Sequence, residues 1–410
     1  MAETSSAVPV HQRGSSAVVF GAFLRLGLSA FGGPIAHIGY LREAFVQQRR
    51  WLSEAQFAQL LAVCQFLPGP ASSQLGFAIG LLHAGWRGAL AAFIGFTLPS
   101  ALLMFAFAVL VERASSEPGL ALLQGLKLVA VVVVAHGVMG MARQLAPDAP
   151  RALIAAAAAA LVVLGGHAWL QLLAIALGAV LGGLLCRGLA APAEARFVLG
   201  YGPRRALLFL LLFALGLLLA LLLTAQTQAP QASPAALAAT FYQAGALVFG
   251  GGHVVLPLLQ QGVVDSGWLG ADGFLAGYGA AQAVPGPMFS FAAYLGAEVD
   301  AGLPAAAAAA IALLAVFLPG FLLLLAVLPV WSRLLQRRWA LGVVAGINAA
   351  VVGLLAAALY DPVWTQGVRG PVDFAIAVIG FALLAGARVS ALWVVLWCVL
   401  ARWLAAMAGF

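Results

Sequence analysis

The chain has 410 residues, 64% of them hydrophobic and only 8% charged, with a formal net charge of +7. Soluble domains carry about 25% charged residues, so this chain lacks the polar surface to cover a water-exposed globule, and most of its exterior must face lipid. The positive charge comes from 19 arginines and one lysine against 13 acids; the arginines sit in short loops between apolar runs, so membrane topology explains them better than nucleic acid does.

Residues 1–17 read as a polar tail, without the ordered n-region, apolar core and cleavage site of a signal peptide. Apolar runs then predict helices over 18–47, 54–83, 86–111, 119–142, 150–166 and 168–187. A linker over 190–234 holds one extra apolar segment, 206–224. Six more segments follow, near 235–262, 271–298, 303–330, 339–360, 371–386 and 389–409. About 20 apolar residues cross a bilayer core, so the chain has room for about 13 segments and reads as an all-α polytopic membrane protein.

The two sets of six repeat each other. Phe31-Gly32-Gly33-Pro34 is matched by Phe249-Gly250-Gly251-Gly252, and Gln65-Phe66-Leu67-Pro68-Gly69-Pro70 by Gln282-Ala283-Val284-Pro285-Gly286-Pro287. Trp51-Leu52 corresponds to Trp268-Leu269, Phe96–Pro99 to Phe317–Pro319, and Gly125-Leu126-Lys127 to Gly346-Ile347-Asn348. Two homologous units result, 18–189 and 235–410. One added span between halves that each cross an even number of times turns the second upside down, an inverted-topology repeat. Arginine placement favours a version in which the first two segments of each half are broken or re-entrant. Arg42, Arg49, Arg50, Arg87, Arg143 and Arg151 then share the inner face, and Arg113, Arg369 and Arg402 stay outside. The rival is an amphipathic interfacial stretch over 36–50.

Pro68 and Pro70 remove two backbone donors and disfavour helix at the residue before each. A helix therefore ends near Phe66 and another starts at Pro70, leaving the amides and hydroxyls of Ser72 and Ser73 at a helix N-terminus, a ready anion site. Pro285-Gly286-Pro287, followed by Ser290, repeats the device. Gly32, Gly33 and Pro34, with His37 in the next turn, make a third break; Gly251, Gly252 and His253 belong to the fourth. Irregular backbone at membrane depth is tolerated where protein or a water-lined cavity covers it, so four paired breaks predict a central cavity. Gln65 and Gln282, a turn before the proline breaks, are candidate hydrogen-bond donors to an oxyanion.

Lys127 sits about eight residues into an apolar helix, and Arg25 lies between Leu24 and Leu26. The acids cluster near segment ends, so both cations are expected without acidic partners, which favours an anionic substrate. Asn348 stands at the Lys127-equivalent position. Cys64, Cys186 and Cys398 are scattered without ligand spacing, so no disulfide, metal or cofactor is expected. No P-loop, His-Glu-x-x-His or Gly-x-Ser-x-Gly occurs, so the chain reads as a transporter that needs an ion gradient, the membrane potential or a partner subunit, not as an enzyme.

These motifs resemble the chromate ion transporter family in its long, two-domain form. The resemblance rests on Phe31-Gly32-Gly33-Pro34 with His37, on Pro68-Gly69-Pro70 with Gln74, and on Gly250-Gly251-Gly252-His253 with Pro285-Gly286-Pro287. It implies export of chromate across a bacterial inner membrane and chromate resistance, with sulfate as the look-alike ion. The alternatives are transport of sulfate or another oxyanion, or an anion channel. The expected partners are those ions, the lipid bilayer and, in an assembly, a second copy of the chain; nucleic acid is not among them. Gly252 replaces Pro34 and Val255 stands where His37 stands, so the halves are expected to differ in role.

Overall fold

The computed structural model describes residues 14–31, 33–111, 117–165, 169–186, 197, 199–226, 232–249, 254–331, 338–387 and 389–408. Among the described residues the structure is helical and contains no strand. The first half holds α1 (Ser16–Ser29), α2 (Gly33–Arg42), α3 (Glu54–Phe66), α4 (Ala71–Val111), α5 (Glu117–Leu145), α6 (Ala149–Gly165) and α7 (Trp169–Leu185). After α8 (Pro203–Gln226) come α9 (Pro234–Leu247), α10 (Val255–Val263), α11 (Ala271–Ala283), α12 (Phe291–Glu298), α13 (Ala305–Val327), α14 (Arg338–Ala358), α15 (Pro371–Phe381) and α16 (Ala391–Met407).

Local chemistry sets most boundaries. Ser53 opens α3 with a capping box: its hydroxyl accepts from the Gln56 amide at 3.2 Å, and the Gln56 side chain accepts from the Ser53 amide at 3.0 Å. Ser233 caps α9 ahead of Pro234, where proline costs no helical bond. Within α4, Ala84 and Gly85 leave helical geometry, with φ of +64° at the glycine. The helix therefore consists of two arms that turn back on each other, Gly80 lying against Gly88. Arg42 pairs with Glu54 and Arg151 with Asp148, both at exposed carboxylates. Each arginine holds its exposed carboxylate partner below the usual range.

Five helices among the described residues are long and apolar enough to cross a membrane: 71–110, 121–145, 203–224, 305–330 and 341–367. Five further apolar helices are shorter, so a count of 13 spans does not follow from length and composition alone. The segment expected over 18–47 is two helices separated at Ala30, and 54–83 is divided at the first proline motif. The interposed α8 is almost entirely exposed, with only 11% of its apolar window buried. It touches α9 through Phe213 and Ala220 near Tyr242, whose hydroxyl donates to the Phe213 carbonyl, and α13 at the same cluster through Ala315. Leucines cover the rest of this helix, as lipid contact requires.

The halves are interlaced. Helices α6 and α7 pack on α14 of the other half, and α15 and α16 pack on α5. Helix α1 lies along α4, with Gly27 against the backbone of Gly95 and Phe96; α9 lies along α13, with Gly245 against Val316. Equivalent elements thus make equivalent contacts, and the last two helices of each repeat are donated to its neighbour. The hydrophobic core is continuous across the two halves.

Candidate functional site

Both proline motifs break their helices. Leu67 and Val284 are extended, and α4 and the turn at Met288–Ser290 each restart the chain four residues later. Between them Gly69 and Gly286 adopt φ of +125° and +102°, values that only glycine takes without strain. The Gly69 amide donates to the Val248 carbonyl at 2.7 Å, and the Gly286 amide donates to the Ala30 carbonyl at 2.9 Å. Ala30 and Val248 are the residues that end α1 and α9. Each proline break is therefore fastened to the helix end at the glycine break of the opposite half, and these two reciprocal joins make up the crossing of the halves.

Side chains continue the exchange. Gln74 Nε2 donates to the Pro68 carbonyl at 3.0 Å and across the halves to the Gly320 carbonyl at 2.8 Å. In the other direction, the Ser290 and Ser100 hydroxyls lie 2.5 Å apart. Ser100 Oγ donates to the Thr97 carbonyl, so Ser290 is the donor of that pair. His37 Nε2 lies 3.1 Å from the Ala30 carbonyl, which only accepts, so that nitrogen carries the proton.

Ser72, Ser73, Gln74, Gln282, Ser290 and His37 are all buried, as are the residues of both proline motifs. Several of their polar atoms have no hydrogen-bond partner among the described residues: Ser73 Oγ, Gln282 Nε2, Gln74 Oε1, His37 Nδ1 and, on the facing arm of α4, Thr97 Oγ1. Buried polar atoms are normally satisfied. Ser73, Thr97 and Gln282 retain donors, and the amides of Ala71, Ser72 and Ser73 stand in a first turn, where no intrahelical acceptor exists. That is a donor set suited to an oxyanion.

The structure separates several residues that the sequence groups together. The Ser290 amide, expected as an anion donor, is taken by the Pro287 carbonyl at 3.0 Å. Gln65 is exposed on α3 while its counterpart Gln282 is buried, and Arg25 is exposed on α1. Pro34 lies in the first turn of α2, beside Gly33 at φ +74°. Gly32, Gly251, Gly252 and His253 lie outside the described residues. Thr97 and Ser100 were not among the expected residues; their signal is the Phe96–Pro99 segment, which recurs as Phe317–Pro319.

Lys127 requires a correction. It is buried, but it has an acidic partner: Nζ lies 2.5 Å from Asp272 Oδ1. Arg369 Nη2 holds the same carboxylate at 3.0 and 3.1 Å. Acids are not confined to exposed ends either. Asp373 is 4% exposed, accepts from Gln124 Nε2 and the Arg369 amide, and pairs with Arg402 at 3.1 Å. Sequence reasoning missed these partners because they come from distant segments, Asp272 lying 145 residues from Lys127. Nor is Lys127 at the crossing. Asp272 opens α11 and Ala283 closes it, so about 16 Å of helix at 1.5 Å per residue separates the charge cluster from the break. Beside the cluster is an open pocket of about 470 Å³ lined by Gly270, Ala271, Asp272, Thr365, Gln366 and Arg369. Asn348, the counterpart of Lys127, is half-buried, and its Oδ1 has no partner among the described residues.

The chromate transporter family model matches residues 17–183 and again residues 235–403. The chain belongs to the chromate transporter family. It is similar to a chromate transport protein of Pseudomonas aeruginosa, 31% identical over 395 residues, covering 93% of this chain and 89% of the relative. It is also 31% identical to a probable chromate transport protein of Synechococcus elongatus, over 88% of this chain and 87% of the relative. An uncharacterized transporter of Methanocaldococcus jannaschii is 25% identical, over 83% and 82% of the two chains. No solved structure matches. Family and apolar helices together make this chromate transporter a multi-pass membrane protein with two copies of one repeat.

Proposed function

We propose that the chain is a secondary carrier that exports chromate from the bacterial cytoplasm across the inner membrane, giving chromate resistance. The observation that carries this reading is the reciprocal crossing, where Gly69 bonds Val248 and Gly286 bonds Ala30. Two halves fastened by two equivalent bonds form a joint about which they rock, and Ser73, Thr97 and Gln282, each within a few residues of a bonded position in the sequence, keep unspent donors. The odd span α8 supports an inverted relation between the halves, so that rocking opens the joint to one face and then the other.

The membrane potential is a sufficient driving force. Chromate is largely a dianion near neutral pH, and each charge leaving a negative interior gains about 2.3 kcal/mol per 100 mV. Two charges gain about 4.6 kcal/mol, which supports a gradient on the order of a thousandfold. Neutral donors and a helix N-terminus hold the ion without trapping it. The cations at the far end of α11 lie on its route.

The test uses purified protein in liposomes with an imposed potential, labelled chromate and sulfate as competitor. Saturable flux that follows the potential and is slowed by sulfate is expected. Pro68→Ala, which restores a backbone donor and lifts the bar to helix at Leu67, should cost most of that flux. No chromate flux from folded protein present in both orientations would overturn the reading.

A further inference from the structure

We propose that the pocket beside Lys127 is a second, superficial oxyanion site, in which the Asp272 carboxylate stands in for the ligand. A tetrahedral dianion of the sulfate and chromate class docks on Lys127 and Arg369 by displacing Asp272. The inference takes only its ligand class from the transport reading; the site is separate from the crossing, at the opposite end of α11.

The cluster contains three cations, Lys127, Arg369 and Arg402, and two carboxylates, Asp272 and Asp373. The carboxylates are held very differently. Asp373 is buried and fixed by Gln124, the Arg369 amide and Arg402. The Asp272 side chain is 60% exposed and sits at the pocket wall on the first turn of α11, and its side-chain bonds in the structure go to Lys127 and Arg369. It is the member that can swing away. With Asp272 turned out, Lys127 and Arg369 present two positive charges to the pocket, which matches a dianion. Both now contact the same carboxylate at 2.5 to 3.1 Å, so they already stand at the spacing that one small oxyanion bridges. Arg369 adds the planar fork that suits paired oxygens. The pocket, about 470 Å³ in volume, has ample room for an ion of that size.

A tethered carboxylate also meets a physical need. Lys127 is 4% exposed, and a buried charge without a partner is strongly destabilising. Asp272 satisfies it whenever the ligand is absent, and a monovalent tethered acid yields to a divalent one. The same exchange sets specificity: a monovalent anion offers no gain in charge over the carboxylate it replaces.

The experiment is equilibrium dialysis of radiolabelled sulfate against the purified full-length chain in detergent, at fixed ionic strength. Asp272→Asn removes the competing charge while keeping an acceptor for Lys127, and is expected to tighten sulfate binding about tenfold. Arg369→Gln is expected to weaken it about tenfold. Sulfate affinity that is unchanged or weaker in a folded Asp272→Asn variant would overturn the proposal and make Asp272 a permanent lock. Should that variant not fold, Arg369→Gln decides, since unchanged affinity there overturns the site as well. Liposome flux of the unaltered chain separates the two readings. Absent chromate flux with the Asp272→Asn shift intact removes transport and leaves this site; normal flux without the shift does the reverse.

Discussion

The crossing and the charge cluster sit at opposite ends of α11 and are built on opposite plans. The crossing is made largely of backbone, is uncharged, and treats the two halves alike: Gly69 to Val248 and Gly286 to Ala30 are the same bond made twice. The cluster is made of charged side chains and has no counterpart in the other half, where Asn348 replaces Lys127 and Ala55 stands where Asp272 would be. A joint that must open both ways benefits from equal halves. A mouth that collects or releases an anion on one face does not. On the proposed reading, the duplicated chain kept its symmetry at the joint and lost it at the mouth.

Five substitutions test that division, beginning with the most damaging. Gly69→Ala places a Cβ at φ +125°, 2.9 Å from the Gly320 Cα. The strain, about 3 kcal/mol, separates the joint, so both melting temperature and flux should fall sharply; a variant that keeps wild-type flux would show that the crossing is not the joint. Lys127→Met removes the buried cation and leaves Asp272 paired with Arg369 alone. Chromate flux should drop about thirtyfold, roughly 2 kcal/mol, with the protein still in the membrane, and full efflux would sever the cluster from transport.

A finer comparison lies inside the crossing, where Ser73 and Ser290 occupy equivalent repeat positions. Ser290→Ala leaves Ser100 without its donor and should lower stability by about 1 kcal/mol. Ser73 Oγ has no partner among the described residues, so Ser73→Ala should barely change the melting curve yet slow flux about fivefold, a loss of roughly one hydrogen bond to the ion. If both variants change stability equally, Ser73 is a structural residue. The smallest effect is expected at Arg42→Gln. The Arg42–Glu54 pair is exposed and screened, so melting and flux should stay within error, and a larger loss would extend the working region beyond the two sites compared.

Much of this was legible from the chain. Proline and glycine act through their own covalent geometry, so the interruptions after Phe66 and Ala283 and at Ala30 could be placed from sequence. Other residues misled because burial is not local. Gln65 and Gln282 read alike, yet one is exposed and the other buried, since α11 packs against α5 and α3 has no such extensive contact with α14. The acids read as clustering near segment ends; Asp373, in the first turn of α15, is nevertheless buried because α15 and α16 are laid over α5.

The sequence by itself determined the solvent, the duplication and the positions of the breaks, because hydropathy, repetition and backbone sterics depend on residue type and near neighbours. Only the tertiary structure decided which broken end joins which, and that Lys127 finds Asp272. Those bonds join residues 145 to 256 positions apart, and nothing local selects among the many distant partners a buried donor or cation could take.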